Sequence, residues 1–229
     1  MKTIYSKLRT AIVEILCILA VFAAAVPLNV RPAKAASVPS GEQKKIQKLM
    51  DSSIIHYIEG ACNYPKKLEY FQYNKRMKTE IAFHNVKEKD AVSSQYRSDS
   101  ALMEKYRPYG GVFRYTGSVK TAVKNKGKAL FGDSFQISFA TGEGFSVSSN
   151  YMISHDGKYI LMNFADWGDW YAQHTYKIVK KEHIYRVKIR ISSYWGGAED
   201  DVTVHRFHVD LKKKRGSYQI TDIVFESQR

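Results

Sequence analysis

The spacing of apolar residues changes period along this chain, and each change marks an element. Ile46, Leu49, Met50, Ile54, Tyr57 and Ile58 recur at three and four. That is one stripe on a helix predicted over residues 42–59. Ser40 stands three before Gln43, a capping-box spacing, while Gly60 and Pro65 supply a stop. Through residues 64–128 the pattern weakens. Residues 68–71 and 79–86 read equally as strand or helix, 98–106 as a short helix before Pro108, and 112–116 as a strand.

From residue 131 the period becomes two. Phe135, Ile137 and Phe139 alternate, and so do Phe145, Val147, Tyr151 and Ile153. An Asp156-Gly157 hairpin turn leads into a strand from Tyr159, and further strands are expected at 172–179, 187–191, 202–211 and 218–225. Short turns and no crossover helix predict antiparallel pairing. The expected fold class is α+β, an N-terminal amphipathic helix packed on a curved antiparallel sheet. A small antiparallel barrel or sandwich is the alternative.

Ahead of this domain, Lys2, Lys7 and Arg9 precede an apolar run over residues 11–26, and Ala33-Lys34-Ala35 offers small residues at a cleavage site. These are the three parts of a secretory signal peptide. Residues 1–35 are therefore expected to be removed near Ala35-Ala36, leaving 36–229 as a single secreted domain, extracellular or at the cell surface. The uncleaved leader is the one expected link to a membrane. Cys17 lacks the small preceding residue of a lipid-anchor signal. Beyond the leader only Cys62 remains, so no internal disulfide can form.

The chain carries a formal net charge of +14, and its excess is concentrated in residues 64–128, with 15 Lys/Arg against 6 Asp/Glu. This basic segment holds seven tyrosines, Tyr64, Tyr70, Tyr73, Tyr96, Tyr106, Tyr109 and Tyr115. Outside a cell, such a surface meets anionic envelope polymers rather than nucleic acid.

The helix followed by long antiparallel strands resembles the nuclear-transport-factor-2-like (cystatin-like cone) superfamily. The closing run Gly216-Ser217-Tyr218-Gln219-Ile220-Thr221-Asp222-Ile223-Val224-Phe225 is similar to the ending of many members. Its apolar phase shifts between Ile220 and Ile223, as a bulged strand would shift it. The resemblance implies a pocket between helix and sheet, and a superfamily where non-catalytic binding modules are common; no catalytic residue carries over.

In an up-and-down meander alternate turns share an end. The turns at 141–144, 166–171 and 195–201 would gather Glu143, Asp166, Asp169, Glu199, Asp200 and Asp201 with Trp167, Trp170 and Trp195. Trp and Tyr rings stack on sugar faces while carboxylates accept from hydroxyls, so Trp167, Trp170, Trp195, Asp166, Asp169 and Tyr194 form the candidate ligand site. The turns at 155–158, 180–183 and 212–215 would share the other end. There Lys180, Lys181, Lys212, Lys213, Lys214 and Arg215 form a candidate polyanion site.

No nucleophile elbow, His-Glu-x-x-His or phosphate-cradling loop is present in the sequence. His205 and His208 point to opposite faces of any strand. Cys62 follows a helix C-terminus, which suits a buried inert thiol. No catalytic residue, metal or cofactor is assigned. The expectation is a secreted, non-enzymatic binding module for anionic cell-wall polymers or glycans. The alternatives are a carboxylate-dependent extracellular hydrolase and a protein-binding surface protein.

Overall fold

The computed structural model describes residues 37–228 apart from 64–67, 87–99, 107–108, 143–147, 164–169 and 197–201. The expected leader, residues 1–35, lies outside the described residues. No helix among the described residues is long and apolar enough to cross a membrane. The chain is α+β, as the periodicity predicts.

The amphipathic stripe forms two helices, α1 (Ser40–Ser53) and α2 (Ile55–Cys62). The join is Ile54, whose φ of −117° distorts the turn while its N–H still donates to the Met50 carbonyl at 2.9 Å. Beside it the Ser53 carbonyl accepts from Asn85 Nδ2 at 2.9 Å, a contact from 32 residues away. Pro39 takes the N-cap position with no side-chain cap, and Ser40 is already helical. The expected capping box therefore does not form; Gln43 Nε2 donates to the Val38 carbonyl at 2.7 Å instead. Gly60 does not stop the helix, which runs to Cys62 before the Asn63 cap.

The long strands β5 (Trp170–Lys181), β6 (Ile184–Trp195), β7 (Thr203–Lys214) and β8 (Ser217–Gln228) make one antiparallel meander in the order β5-β6-β7-β8. Its alternation is strict where the sequence is clearest. Tyr185, Val187, Ile189 and Ile191 are buried, and Arg186, Lys188 and Arg190 are exposed. The buried set packs with Phe207, Val209, Leu211, Ile220 and Ile223 against Ile46, Met50, Ile54 and Ile58 of the helices. The expected bulge in β8 is present. Asp210 pairs with Asp222 and Leu211 with Ile220, so Thr221 is the extra residue. It lets both Ile220 and Ile223 face the core. A second register shift leaves Glu226 between Phe225 and Ser227. The chain closes through β7–β8 at Arg215 and Gly216, with φ of 48° and 83°. Two left-handed residues are what a tight two-residue hairpin demands.

The expectation of one continuous meander is corrected here. β1 (Gly111–Arg114), β2 (Ala140–Thr141), β3 (Tyr151–Ile153) and β4 (Tyr159–Met162) form a separate sheet in the order β1-β4-β3-β2. Within it β2 and β3 run parallel. Residues 135–139 alternate like a strand without being one. Phe135, Ile137 and Phe139 fill a second core, and the Ser138 backbone donates to Thr79 Oγ1 at 2.8 Å. Burial on one side gives period two whether or not a ladder forms. The ambiguous residues 79–86 fall largely in a helix, α3 (Lys75–His84), capped by the Asn74 side chain accepting from Met77 N–H. The short helix expected before Pro108 is α4 (Ser100–Lys105). Helix α5 (Gly117–Phe131) went unforeseen, because its buried face is only Val119, Val123, Gly127 and Leu130 between lysines.

Gly127 sits in mid-helix, where alanine is normally worth about 1 kcal/mol more than glycine. Here a Cβ would run into the Phe135 ring. Gly127→Ala is therefore expected to destabilise by roughly 1–2 kcal/mol through overpacking. Thermal unfolding should show a lowered Tm, partly restored by adding Phe135→Leu.

Candidate functional site

Two of the three turns expected at the basic end share it, and several of their charges have partners. The β5–β6 and β7–β8 hairpins lie at one end, since Ile184 pairs with both Lys181 and Lys212. Lys213 Nζ donates to Glu42 Oε1 at 2.5 Å. The same carboxylate accepts from the Tyr185 and Tyr218 hydroxyls at 3.1 and 3.0 Å. The Lys213 hydrogen bond, helped by the Tyr218 and Tyr185 hydroxyls, holds the Glu42 carboxyl down to about 2 and outweighs the opposing effect of desolvation. Lys214 reaches Asp133 at 3.5 Å. Lys180 lies over the Tyr185 ring, 5.0 Å from its centroid. Lys181, Lys212 and Arg215 are exposed. Lys213 thus clamps α1 to the sheet, while Lys214 and Lys180 are held by Asp133 and by a ring of the sheet itself. The third turn expected at this end, residues 155–158, belongs to the β3–β4 hairpin of the other sheet.

Of the aromatic-acidic set, Trp167, Asp166 and Asp169 lie outside the described residues. Trp170 and Trp195 are register partners at the opposite end of the long sheet, next to the pair Tyr171 and Tyr194. The two tyrosine rings stack at 5.3 Å between centroids and 22° between planes. Tyr171, absent from the expected site, is 52 % exposed. Thr141, where the expected turn at 141–144 begins, ends β2 of the smaller sheet, and residues 143–144 lie outside the described residues.

The feature missed in the sequence is the outward face of the long sheet, which no described element covers. Cross-strand register sets Thr175, Arg190, Arg206 and Ser227 in one row, and Lys177, Lys188, His208 and Val224 in the next. Arg190 thus stands directly opposite Arg206, and Lys177 opposite Lys188. Like charges so placed destabilise a sheet by a few tenths of a kcal/mol per pair or more. Lys177, Lys188 and Arg190 are exposed. None of these three forms an ion pair among the described residues. Arg206 Nη1 is buried with no hydrogen-bond partner. These side chains line a shallow hollow of about 340 Å³. At its rim Glu226 Oε1 meets His208 Nδ1 at 2.8 Å. One row further on, Arg186 is neutralised by a bidentate pair to Asp210 at 2.7 Å. The basic rows are therefore bounded on that side.

Other polar groups tie elements together. Glu80, only 2 % exposed, accepts from the Tyr57 hydroxyl at 2.8 Å and the Asn150 backbone at 3.0 Å. The hollow beside it measures about 30 Å³, room for a water or two rather than a substrate. His174 bridges Glu59 at 3.0 Å and Asp51 at 3.5 Å, joining edge strand β5 to α1 and α2. His205 and His208 do face opposite ways. His205 is buried, with Nε2 3.3 Å from Ser193 Oγ, and burial lowers its proton affinity. Its Nδ1 has no partner, so no carboxylate orients this Ser–His pair as a hydrolytic triad requires. Among the described residues no three His, Cys, Asp or Glu side chains gather as a metal-ligand group.

Comparison with protein-family models, with curated proteins and with solved structures found no match.

Two outcomes follow for the groups around α1 and α2. Glu42→Gln should lower the melting temperature at neutral pH. The depressed carboxyl contributes stability above its ordinary 4.5 and loses it as pH falls toward 2. Wild type and variant should therefore converge in acid when melts are run across that range. Burial, then the Glu59 charge, pushes the Cys62 thiol up. Cys62 should stay inert to an aromatic disulfide reagent at pH 8 and react at once in guanidinium.

Proposed function

We propose that this protein is a secreted binding module for anionic polymers of the cell envelope, working through the outward face of the β5–β8 sheet. One observation carries the reading: Arg190 opposite Arg206, and Lys177 opposite Lys188, on a face where Asp210 and Glu226 are already engaged by Arg186 and His208. Rows that repel one another are relieved by a ligand carrying many negative charges. A single small anion meets only one or two of them. The strands supply a spacing of about 4.8 Å across and about 6.6 Å along for alternate residues, a grid suited to repeated charges. Export is supported by the leader-like sequence of residues 1–35. The helix pair laid on a bulged meander supports placing the domain with the nuclear-transport-factor-2-like cones.

The test is binding of inorganic polyphosphate, followed by biolayer interferometry between 25 and 200 mM NaCl. Wild type should weaken steeply with salt, as counterion release requires. Arg190→Gln with Arg206→Gln should cost on the order of tenfold or more in affinity and flatten the log–log salt slope by about 2. Lys124→Gln, exposed on α5, should change affinity less than twofold. Equal losses from all these changes would refute a site on this face.

A further inference from the structure

The same face is not uniformly basic; it is graded along the strands. At one end lie Tyr171 and Tyr194, directly opposite one another and stacked. The next outward row is Gln173, Ser192 and Val204, and the row after it is Thr175, Arg190 and Arg206. No register shift interrupts β5 and β6, so all these residues share one side of the pleat. The order is therefore ring, then amide and hydroxyl, then guanidinium.

Resting on the polyanion reading above, we infer that the ligand is an acidic polysaccharide. A pyranose stacks on the Tyr171–Tyr194 pair, and its polymer runs along β6 to place carboxylates or phosphates at Arg190 and Arg206. Tyr194 lies four positions beyond Arg190, roughly 13 Å along the strand. That is the reach of an oligosaccharide, not of one sugar. Each row matches one part of such a chain. Tyrosine offers an apolar ring face to the C–H side of a pyranose. Gln173 and Ser192 exchange hydrogen bonds with hydroxyls. Arg190 and Arg206 line the hollow and offer paired donors to the anionic group. A sugarless polyanion engages only the last of these. Exposure of Tyr171 on the edge strand β5 leaves it accessible to a long polymer.

The experiment compares polygalacturonate, inorganic polyphosphate and poly(dT) as probes of the full secreted domain. Wild type is expected to bind polygalacturonate most tightly. Tyr171→Ala should weaken polygalacturonate about fivefold or more and leave polyphosphate within twofold. Tyr171→Phe should behave as wild type, since the ring is kept. Arg190→Gln with Arg206→Gln should weaken both polymers. If Tyr171→Ala weakens neither probe, or weakens both alike, the sugar platform is overturned while the basic face stands. Tighter wild-type binding of poly(dT) than of polygalacturonate also overturns it, in favour of base stacking. Failure of wild type to bind any of the three removes both readings. Matching melting temperatures for Tyr171→Ala and wild type exclude misfolding as the cause of a loss.

Discussion

One-sided burial of the β5–β8 sheet is the constraint on which the rest of the molecule turns. Strands β6 and β7 place every second side chain into a dry layer with α1 and α2. Once Val187, Ile189, Phe207 and Val209 are committed inward, Arg186, Lys188, Arg206 and His208 have only the other side available. Because a slip of one residue would exchange the two sets, the register is strongly specified. The bulge at Thr221 serves the same end. Without it Ile223 would face water and Asp222 the core.

That commitment gives chemically similar lysines different work. Lys213 belongs to the fold: with Tyr185 and Tyr218 it encloses Glu42 and pins the start of α1 to the sheet. The pair is partly exposed, so its value lies in fixing where the helix begins more than in raw stability. Lys177 and Lys188 have no such partner among the described residues. Their mutual repulsion is a cost the sheet carries, and it is the kind of cost that ligand binding offsets.

A second core, around Phe83, Phe135, Tyr151 and Ile160, holds the smaller sheet against α3 and α5. Phe83 sits edge-on to Phe113, Phe139 and Tyr151 at 5.0–5.9 Å. The buried Glu80 carboxylate links this region to α2 through Tyr57. The middle of the chain, which looks in sequence like a basic, tyrosine-rich surface, thus spends many of its aromatics on packing. Tyr106 is buried, and Tyr115 packs against the second core.

The amphipathic stripe of α1 and α2, the alternation of β5 to β8 and the phase shift in β8 were all legible in the residues. Each is a local periodicity written by one-sided burial. Residues 135–139 show where that logic fails, since the same alternation arises without strand pairing. Helix α5 was illegible because Gly127 and surrounding lysines dilute its stripe, and only the Phe135 ring explains that glycine. The basic hairpin end was also readable, because alternate turns of a meander share an end. What only the tertiary structure decided was partnership. Glu42 lies 171 residues from Lys213, and no spacing announces that it neutralises that lysine. Likewise Arg190 and Arg206 become a like-charged pair only through cross-strand register, and Tyr171 gains meaning only opposite Tyr194. Sequence determines which side of an element a residue takes; contact between distant segments determines whether its charge or ring is already occupied.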